Sequence, residues 1–251
     1  MLTTLLLRKK LSASLKNLSR DRKNIMPKKF DAILFDVDGT LLDSAEFIYQ
    51  AFYATLLKHV GREVTREEIF KLPSWALVQY YEALAPTHDA QALAKTHREV
   101  QDNNLHLSRA FDAVHDVLGS IAKAGMKKAA VTNRGKETVA SSLRIADILH
   151  HFDAIVTADD VKNPKPHPEP ILKALNMLGI RASKAVMVGD TDVDIIAGKE
   201  AGVLTIGVTY GIHGKDIEKN NPDFLVHDIR EILPIILDLN MTYAVDDLSS
   251  A

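Results

Sequence analysis

The chain has 251 residues, of which 46% are hydrophobic and 25% are charged, and its formal net charge is -2. These proportions exclude a disordered or collagen-like chain and are typical of a globular protein with one large domain or one domain that carries an insertion. The chain contains no cysteine, which excludes disulfides and thiolate metal sites and suits a cytoplasmic location.

The first 25 residues are strongly basic. They hold seven Lys and Arg residues against Asp21 alone, so this segment carries +6 and the rest of the chain carries -8. An acidic body argues against nucleic-acid binding, because phosphate backbones are bound by concentrated Lys and Arg. We expect residues 1–29 to lie outside the core, and residues 1–25 to be an organelle-targeting peptide, a membrane-surface helix or an extension ahead of a start at Met26. Membrane contact is the less favoured of these interpretations.

From residue 31 onward, short β-branched runs alternate with helical stretches, which predicts an α/β fold with a mostly parallel sheet. The strands are predicted at residues 32–35, 127–132, 154–157, 185–188, 204–208 and 224–226. The helices between and after them are predicted at residues 114–124, 136–146, 169–178, 193–201 and 229–239. Glycine follows three of these helices directly, which is a common helix-stop signal.

Residues 43–110 have helical periodicity and no convincing strand, and they are far too many for one crossover helix. We therefore expect a helical cap over residues 43–110, inserted in a core formed by residues 30–42 and 111–240, with residues 241–251 as a loose tail. Cap helices are predicted at residues 44–58, 66–70, 76–84 and 90–105. The aromatic residues Phe52, Tyr53, Trp75 and Tyr80 are expected to form the core of this bundle rather than contact a ligand.

Polar residues follow the predicted strands at the sheet edge where parallel α/β proteins bind ligands. Asp36 and Asp38 follow the first strand, and Gly39 allows the chain to bend there. The other clusters are Thr132-Asn133, Lys165-Pro166 and Gly189-Asp190-Thr191 with Asp194 beyond. We therefore expect four polar clusters to converge on one site.

These residue types suit phosphoryl transfer. Asp36, Asp38 and Asp190 would repel one another, and an all-oxygen site of this kind suits Mg²⁺ bound together with a substrate phosphate. Lys165 would supply fixed positive charge. The Thr132 hydroxyl and the backbone amides near Gly39 and Asn133 can donate hydrogen bonds to a phosphoryl group.

The four motifs in this order resemble those of the haloacid dehalogenase-like superfamily, in particular its phosphoglycolate-phosphatase-like branch. The resemblance implies a Rossmann-like parallel-sheet core with an inserted α-helical cap. It also implies that Asp36 is the nucleophile, which forms an aspartyl-phosphate, and that Asp38 is the general acid and base. Mg²⁺ would be held by the Asp36 carboxylate, the Asp38 backbone carbonyl and Asp190.

The remaining motif residues have supporting roles in the same resemblance. Asp194 would support the metal site through water or Lys165, although a helix-capping role is the alternative. Thr132, Asn133, Gly39 and Lys165 would bind the phosphoryl group of a small phosphate ester, and Lys165 would also offset the accumulated negative charge. Lys162 is a weaker candidate than Lys165, because Pro166 follows the latter.

Two other functions stay open. A sugar-phosphate mutase resembling β-phosphoglucomutase carries a cap histidine where this chain has Ile48, which weakens that hypothesis. A catalytically silent binding module is the second alternative. Phosphoglycolate, a sugar phosphate, a nucleoside monophosphate and pyrophosphate all remain candidate substrates, with phosphoglycolate slightly preferred, and the oligomeric state is not indicated.

Overall fold

The computed structural model describes residues 30–72 and 76–248 of the chain. Strands and helices alternate along most of this part. The strands are β1 (Ala32–Phe35), β2 (Leu42–Asp43), β3 (Arg109–Ala110), β4 (Lys127–Val131), β5 (Ala154–Val156), β6 (Ala185–Gly189), β7 (Leu204–Val208) and β8 (Phe224–Val226). The helices are α1 (Ala45–Val60), α2 (Arg66–Phe70), α3 (Leu77–Leu84), α4 (Ala90–Asn103), α5 (Val114–Lys123), α6 (Lys136–Ile145), α7 (Glu169–Leu178), α8 (Asp192–Glu200) and α9 (Ile232–Leu248).

Six strands form one parallel sheet in the order β5-β4-β1-β6-β7-β8. All four residues of β1 are fully buried, as expected for an apolar strand inside a parallel sheet covered on both faces. Phe35 at its end is paired with Ala130 on β4 and with Val188 on β6, so these three strands end close together. The chain continues from β1 to one side of the sheet and later returns to the other side, and ligands bind at such a switch point.

Four helices, α1 to α4, form a helical insert between β2 and β3. They share an apolar cluster of their own, which consists of Phe52, Leu56, Val64, Ile69, Tyr81, Ala85, Leu93 and Ala94. Phe52 is buried in this cluster as expected, and Tyr53 and Tyr80 are partly buried against it. Trp75 lies outside the described residues.

A short antiparallel pair connects the insert to the sheet. Leu42 of β2 pairs with Ala110 of β3, and Asp43 pairs with Arg109. The expectation of no strand over residues 43–110 is therefore wrong at both ends of that range. Strands of two residues are too short to produce an alternating pattern, so the sequence holds no signal for them.

The predicted boundaries of the sheet strands agree with the structure to within one residue. The last helix differs more, because α9 continues to Leu248 where we expected a loose tail from residue 241. No glycine or proline occurs between residues 235 and 248, so nothing in that stretch stops the helix.

The predictions for the basic segment concern residues 1–29, which lie outside the described residues. Within the part of the chain that the structure describes, no helix has the length and apolar character needed to cross a bilayer.

Candidate active site

Asp36 and Lys165 form the centre of the site. Asp36 directly follows β1, and its Oδ1 accepts a hydrogen bond of 2.7 Å from Lys165 Nζ. The same Nζ donates to the backbone carbonyl of Val131 at 2.7 Å and to Asp194 Oδ1 at 2.6 Å. Burial alone would lower the pKa of Lys165, but the charges of Asp194 and Asp36 raise it above its ordinary value. Lys165 is therefore a buried, fixed cation.

Lys165 makes three hydrogen bonds within the chain. An ammonium group has three hydrogens, and all three are directed to Asp36, Val131 and Asp194. With these bonds Lys165 offsets charge and orients Asp36, and its binding of the substrate phosphate stays a prediction. Lys162, the competing lysine, is exposed.

Asp190 follows β6 and is fully buried beside Asp36. Its Oδ1 accepts a bond of 3.3 Å from the Thr40 hydroxyl, and its Oδ2 accepts a bond of 2.8 Å from the Ile212 backbone N–H. Gly39, with a φ of 77°, makes room for this carboxylate, because a Cβ at Gly39 would lie 2.2 Å from Asp190 Oδ2. Two separate loops therefore hold Asp190 in place.

Gly39 has a structural role in the turn after β1. Its backbone N–H donates to the Leu42 carbonyl at 2.8 Å, so that amide is already used inside the turn. The binding of a substrate phosphate by Gly39 stays a prediction. Glycine is needed at this position for the left-handed turn and for the close approach of Asp190.

Asp194 caps a helix and also binds Lys165. Its Oδ2 accepts from the Thr191 backbone N–H at 3.1 Å and from the Thr191 hydroxyl at 2.6 Å, which caps the start of α8. Its Oδ1 binds Lys165. Asp194 is fully buried, and it holds both the helix and the lysine in position.

The acidic cluster carries more negative charge than its lysine offsets. Asp36, Asp190 and Asp194 each place one carboxylate oxygen within 4.8 Å of the others. Burial raises the pKa of Asp36 to about 7, against the lowering effect of Lys165, and burial together with the charge of Asp36 raises the pKa of Asp190 well above its ordinary value. Buried carboxylate oxygens gathered in this way fit a divalent cation such as Mg²⁺.

Asp38 lies apart from this cluster and pairs with a residue that we did not predict. Arg134 Nη1 donates to Asp38 Oδ1 at 3.1 Å, and Nη2 donates to the Ser142 hydroxyl at 2.8 Å. The guanidinium also lies 4.8 Å from the centre of the Phe47 ring. A contribution of Asp38 to a metal site would have to come from its backbone carbonyl, as the family resemblance implies.

Thr132 and Asn133 end β4 on the other side of Asp36. The Thr132 hydroxyl oxygen accepts from the Arg134 backbone N–H at 3.1 Å, which leaves its own proton available to a phosphoryl oxygen. The Asn133 side chain makes two bonds to the backbone of Lys165, of 2.8 Å and 3.0 Å. Its amide group therefore positions the lysine loop, and the Asn133 backbone N–H is one donor that these bonds do not use.

A cavity of about 300 Å³ lies between this polar wall and the helical insert. The polar wall contributes Asp36, Asp38, Thr132, Asn133, Arg134 and Lys165 to its lining. The insert contributes mostly apolar side chains, among them Phe52 and Tyr80, which the sequence suggested only as bundle core. A substrate with its phosphoryl group at Asp36 would thus place its leaving group against the insert.

The insert also brings a histidine to the cavity. His97 of α4 is 2% exposed, and its ring centroid lies 4.5 Å from that of Phe52. Its Nδ1 is hydrogen-bonded to the Tyr81 hydroxyl at 2.8 Å. Burial, with the nearby charge of Arg98, lowers the pKa of His97 to about 3. No sequence motif indicated this residue, since one histidine in a helix has no chemical signature by itself.

Sheet and site together define an α/β protein with an acidic, lysine-containing site at the end of its central strand and helices inserted above it. The chain matches the model of the haloacid dehalogenase-like hydrolase family over residues 33–208, and it belongs to that family. The expected Rossmann-like fold class and the family resemblance are therefore confirmed.

Several proteins of known sequence or structure are similar to this chain. Pyrophosphatase PpaX of Bacillus cereus (strain AH820) is 32% identical over 213 residues, which are 84% of this chain and 99% of that protein. A solved structure of a predicted phosphoglycolate phosphatase from Haemophilus somnus 129PT is 26% identical and superimposes with a TM-score of 0.76, covering 83% of this chain and 98% of that one. A predicted phosphatase from Clostridium acetobutylicum, at 24% identity, a TM-score of 0.75 and coverage of 83% and 99%, supports the fold.

Proposed function

We propose that this protein is a Mg²⁺-dependent phosphatase that hydrolyses a small phosphate monoester through an aspartyl-phosphate on Asp36. One observation carries the proposal: the buried Asp36 carboxylate is held by Lys165 at 2.7 Å and borders a ligand-sized cavity. Relatives named pyrophosphatase and phosphoglycolate phosphatase support the same reaction class.

The proposed reaction has two steps. An oxygen of Asp36 attacks phosphorus, the bond from phosphorus to the leaving oxygen breaks, and protonated Asp38 gives its proton to that oxygen. Water then attacks the phosphorus of the aspartyl-phosphate and passes a proton to Asp38. The bond between phosphorus and the Asp36 oxygen breaks, which releases inorganic phosphate and restores both aspartates.

Other groups of the chain hold the reacting atoms. The Thr132 hydroxyl and the Asn133 backbone N–H donate to the phosphoryl oxygens, while Lys165 orients Asp36 and Arg134 orients Asp38. Asp36, Asp190 and the Asp38 carbonyl would hold Mg²⁺, with Asp194 supporting through Lys165. When bound there, Mg²⁺ supplies the positive charge that the buried carboxylates and the phosphoryl oxygens require.

The mutase alternative is weakened further by the cavity. Ile48, which stands where the mutases carry a histidine, is one of the lining residues, and an alkyl side chain cannot transfer a proton. The silent-module alternative predicts no turnover at all, so the same experiment tests it.

The test is phosphate release from a panel of small phosphate esters and pyrophosphate, with Mg²⁺ and with chelator. We expect turnover that requires the cation and that falls by roughly 10⁴-fold or more in Asp36→Asn. Asp192→Asn is the matched control, since Asp192 is the first residue of α8 and lies outside the acidic cluster. Turnover that survives in Asp36→Asn would refute the proposal, and inactivity of the folded wild type across the panel would favour the binding module.

A further inference from the structure

The loop after β7, residues 209–213, lies against the acidic cluster although it belongs to none of the four motif clusters. Its strand is the neighbour of β6, which leads to Asp190. The Ile212 backbone N–H in this loop supplies the 2.8 Å bond to Asp190 Oδ2. A Cβ at Gly211 would lie 2.3 Å from the Cβ of Asp190 and 2.4 Å from the Gly39 carbonyl oxygen. The loop therefore packs directly against this carboxylate and against the turn after β1.

Tyr210 joins the loop to the turn after β1. Its hydroxyl donates to the Thr40 backbone carbonyl at 3.0 Å, and the Thr40 hydroxyl donates to Asp190 Oδ1 at 3.3 Å. Thr40 is fully buried, so removal of the tyrosine hydroxyl takes a donor from a carbonyl in a place where an unmade hydrogen bond is costly. The position of the Thr40 hydroxyl therefore depends on Tyr210.

The ring of Tyr210 is itself fixed by packing. Its centroid lies 5.0 Å from that of Phe111, with an interplanar angle of 73°, which is an edge-to-face contact. Phe111 is the residue after β3, and its backbone N–H donates to the Leu41 carbonyl at 3.0 Å. The ring contact at one end and the hydroxyl bond at the other hold the Tyr210 side chain in one orientation.

The bonds to Asp190 orient its carboxylate and still leave it able to bind a cation. Each carboxylate oxygen has two lone pairs, and the bonds from Thr40 and Ile212 use one on each oxygen. A second lone pair on each is then available at the acidic cluster. Because Mg²⁺ requires oxygens close to ideal octahedral positions, a carboxylate that is free to rotate binds it less tightly.

We propose that Tyr210 is a positioning residue of the metal site: its hydroxyl holds Thr40, and the Thr40 hydroxyl keeps the Asp190 carboxylate directed at the cation. Tyr210 then controls the affinity for Mg²⁺ from outside the set of ligands. This inference rests on the Mg²⁺ site of the proposed function and adds a residue that controls it.

The first test measures cation binding without turnover. Mn²⁺ prefers the same oxygen ligands as Mg²⁺, and electron paramagnetic resonance gives its free concentration, with Mg²⁺ added as a competitor. Tyr210→Phe keeps the ring and removes only the hydroxyl, so we expect the dissociation constant of Mn²⁺ to rise about three- to tenfold, as for one lost hydrogen bond. Tyr81→Phe is the matched control, because the Tyr81 hydroxyl is also buried and hydrogen-bonded, to His97 in the insert, and this variant should leave the constant unchanged.

A double-mutant cycle tests the route through Thr40. Thr40→Val removes the hydroxyl that binds Asp190 and should weaken Mn²⁺ binding about tenfold, as expected for a group that orients a metal ligand. Because this variant has no hydroxyl for Tyr210 to place, adding Tyr210→Phe should then raise the constant by less than about twofold. Full multiplication of the two single effects would contradict the route.

Turnover separates positioning from a loss of folded protein. In Tyr210→Phe we expect the apparent constant for activation by Mg²⁺ to rise by the same factor as the Mn²⁺ constant, and kcat at saturating Mg²⁺ to fall by a smaller factor. A variant that is only partly folded would instead lose kcat and keep its constant for Mg²⁺. If Tyr210→Phe does not fold, Phe111→Leu keeps the hydroxyl but loosens the ring, and its Mn²⁺ constant should rise about twofold.

The outcomes separate this inference from the phosphatase function. An unchanged Mn²⁺ constant in Tyr210→Phe, or an equal rise in Tyr81→Phe, would overturn the inference and leave the phosphatase function standing. A wild type that binds Mn²⁺ but releases no phosphate would overturn the phosphatase function alone, since the Mn²⁺ constants still decide the role of Tyr210. A wild type that neither binds Mn²⁺ nor releases phosphate would overturn both.

Discussion

The two walls of the cavity bury titratable side chains in opposite charge states. The sheet wall buries Asp36, Asp190, Asp194 and Lys165, and it keeps the lysine charged by surrounding it with carboxylates. The insert wall buries a titratable group too, but His97 is kept neutral by desolvation. A wall that retains buried charge can bind a cation and a phosphoryl group, whereas desolvation at the other wall favours the uncharged state of its histidine.

The largest effect should come from removing the cation of the sheet wall. Lys165→Met leaves Asp36 and Asp194 buried without their shared partner, and we expect a loss of about 3–5 kcal/mol in the free energy of unfolding and at least a 100-fold loss of turnover. Lys162→Met, at an exposed lysine three positions earlier, should change neither quantity. Urea unfolding in the presence of chelator measures the first effect, and equal losses in the two variants would contradict the assignment of the buried charge.

Gly39→Ala should have the next largest effect on the same wall. The left-handed φ of 77° strains an alanine, and its Cβ would also meet the Asp190 carboxylate, so we expect a loss of roughly 2–4 kcal/mol in stability. Gly61 has a similar φ of 70° but open space around it, and Gly61→Ala should lose only about 1 kcal/mol. If thermal unfolding finds the two variants equally destabilised, the close approach of Asp190 is not what requires Gly39.

Because His97 is neutral in the folded protein, we expect the stability of the fold to decrease in acid. The pKa of this residue falls from 6.5 to about 3 on folding, so between these values the unfolded chain binds a proton that the folded chain does not. Stability is therefore lost as the pH falls below 6.5, by about 2 kcal/mol at pH 5. In His97→Leu the difference in unfolding free energy between pH 7 and pH 5 should shrink by that amount, and in His150→Leu, at an exposed histidine, it should not.

The smallest effect concerns the pair of Arg134 and Asp38, which lies at the edge of both walls. Arg134→Lys keeps the positive charge but loses the guanidinium, whose two Nη groups bind Asp38 and Ser142 at the same time. We therefore expect about a tenfold loss of kcat on alkyl phosphates. The loss should be smaller for p-nitrophenyl phosphate, whose leaving group needs no proton from Asp38. Arg144→Lys, at an exposed arginine, is the control, and equal losses on both esters would argue against positioning of Asp38 by Arg134.

Much of the fold and the polar side of the site could be predicted from the sequence. The strands are short β-branched runs, and the motif residues directly follow them, so parallel pairing necessarily brings Asp36, Thr132 and Asp190 to one edge. These are local signals, encoded in hydrophobic period and turn residues. The helical character of residues between β2 and β3 is local in the same sense.

Only the tertiary structure decided which side chains meet. Arg134 and Asp38 are 96 positions apart, and Tyr81 meets His97 across two helices of the insert. The two-residue strands β2 and β3 are defined by their pairing alone. The close approach of Asp190 to Gly39 is likewise visible only in the folded chain. Periodicity along the chain determines which faces are buried, but contacts between distant side chains depend on packing geometry that no local pattern encodes.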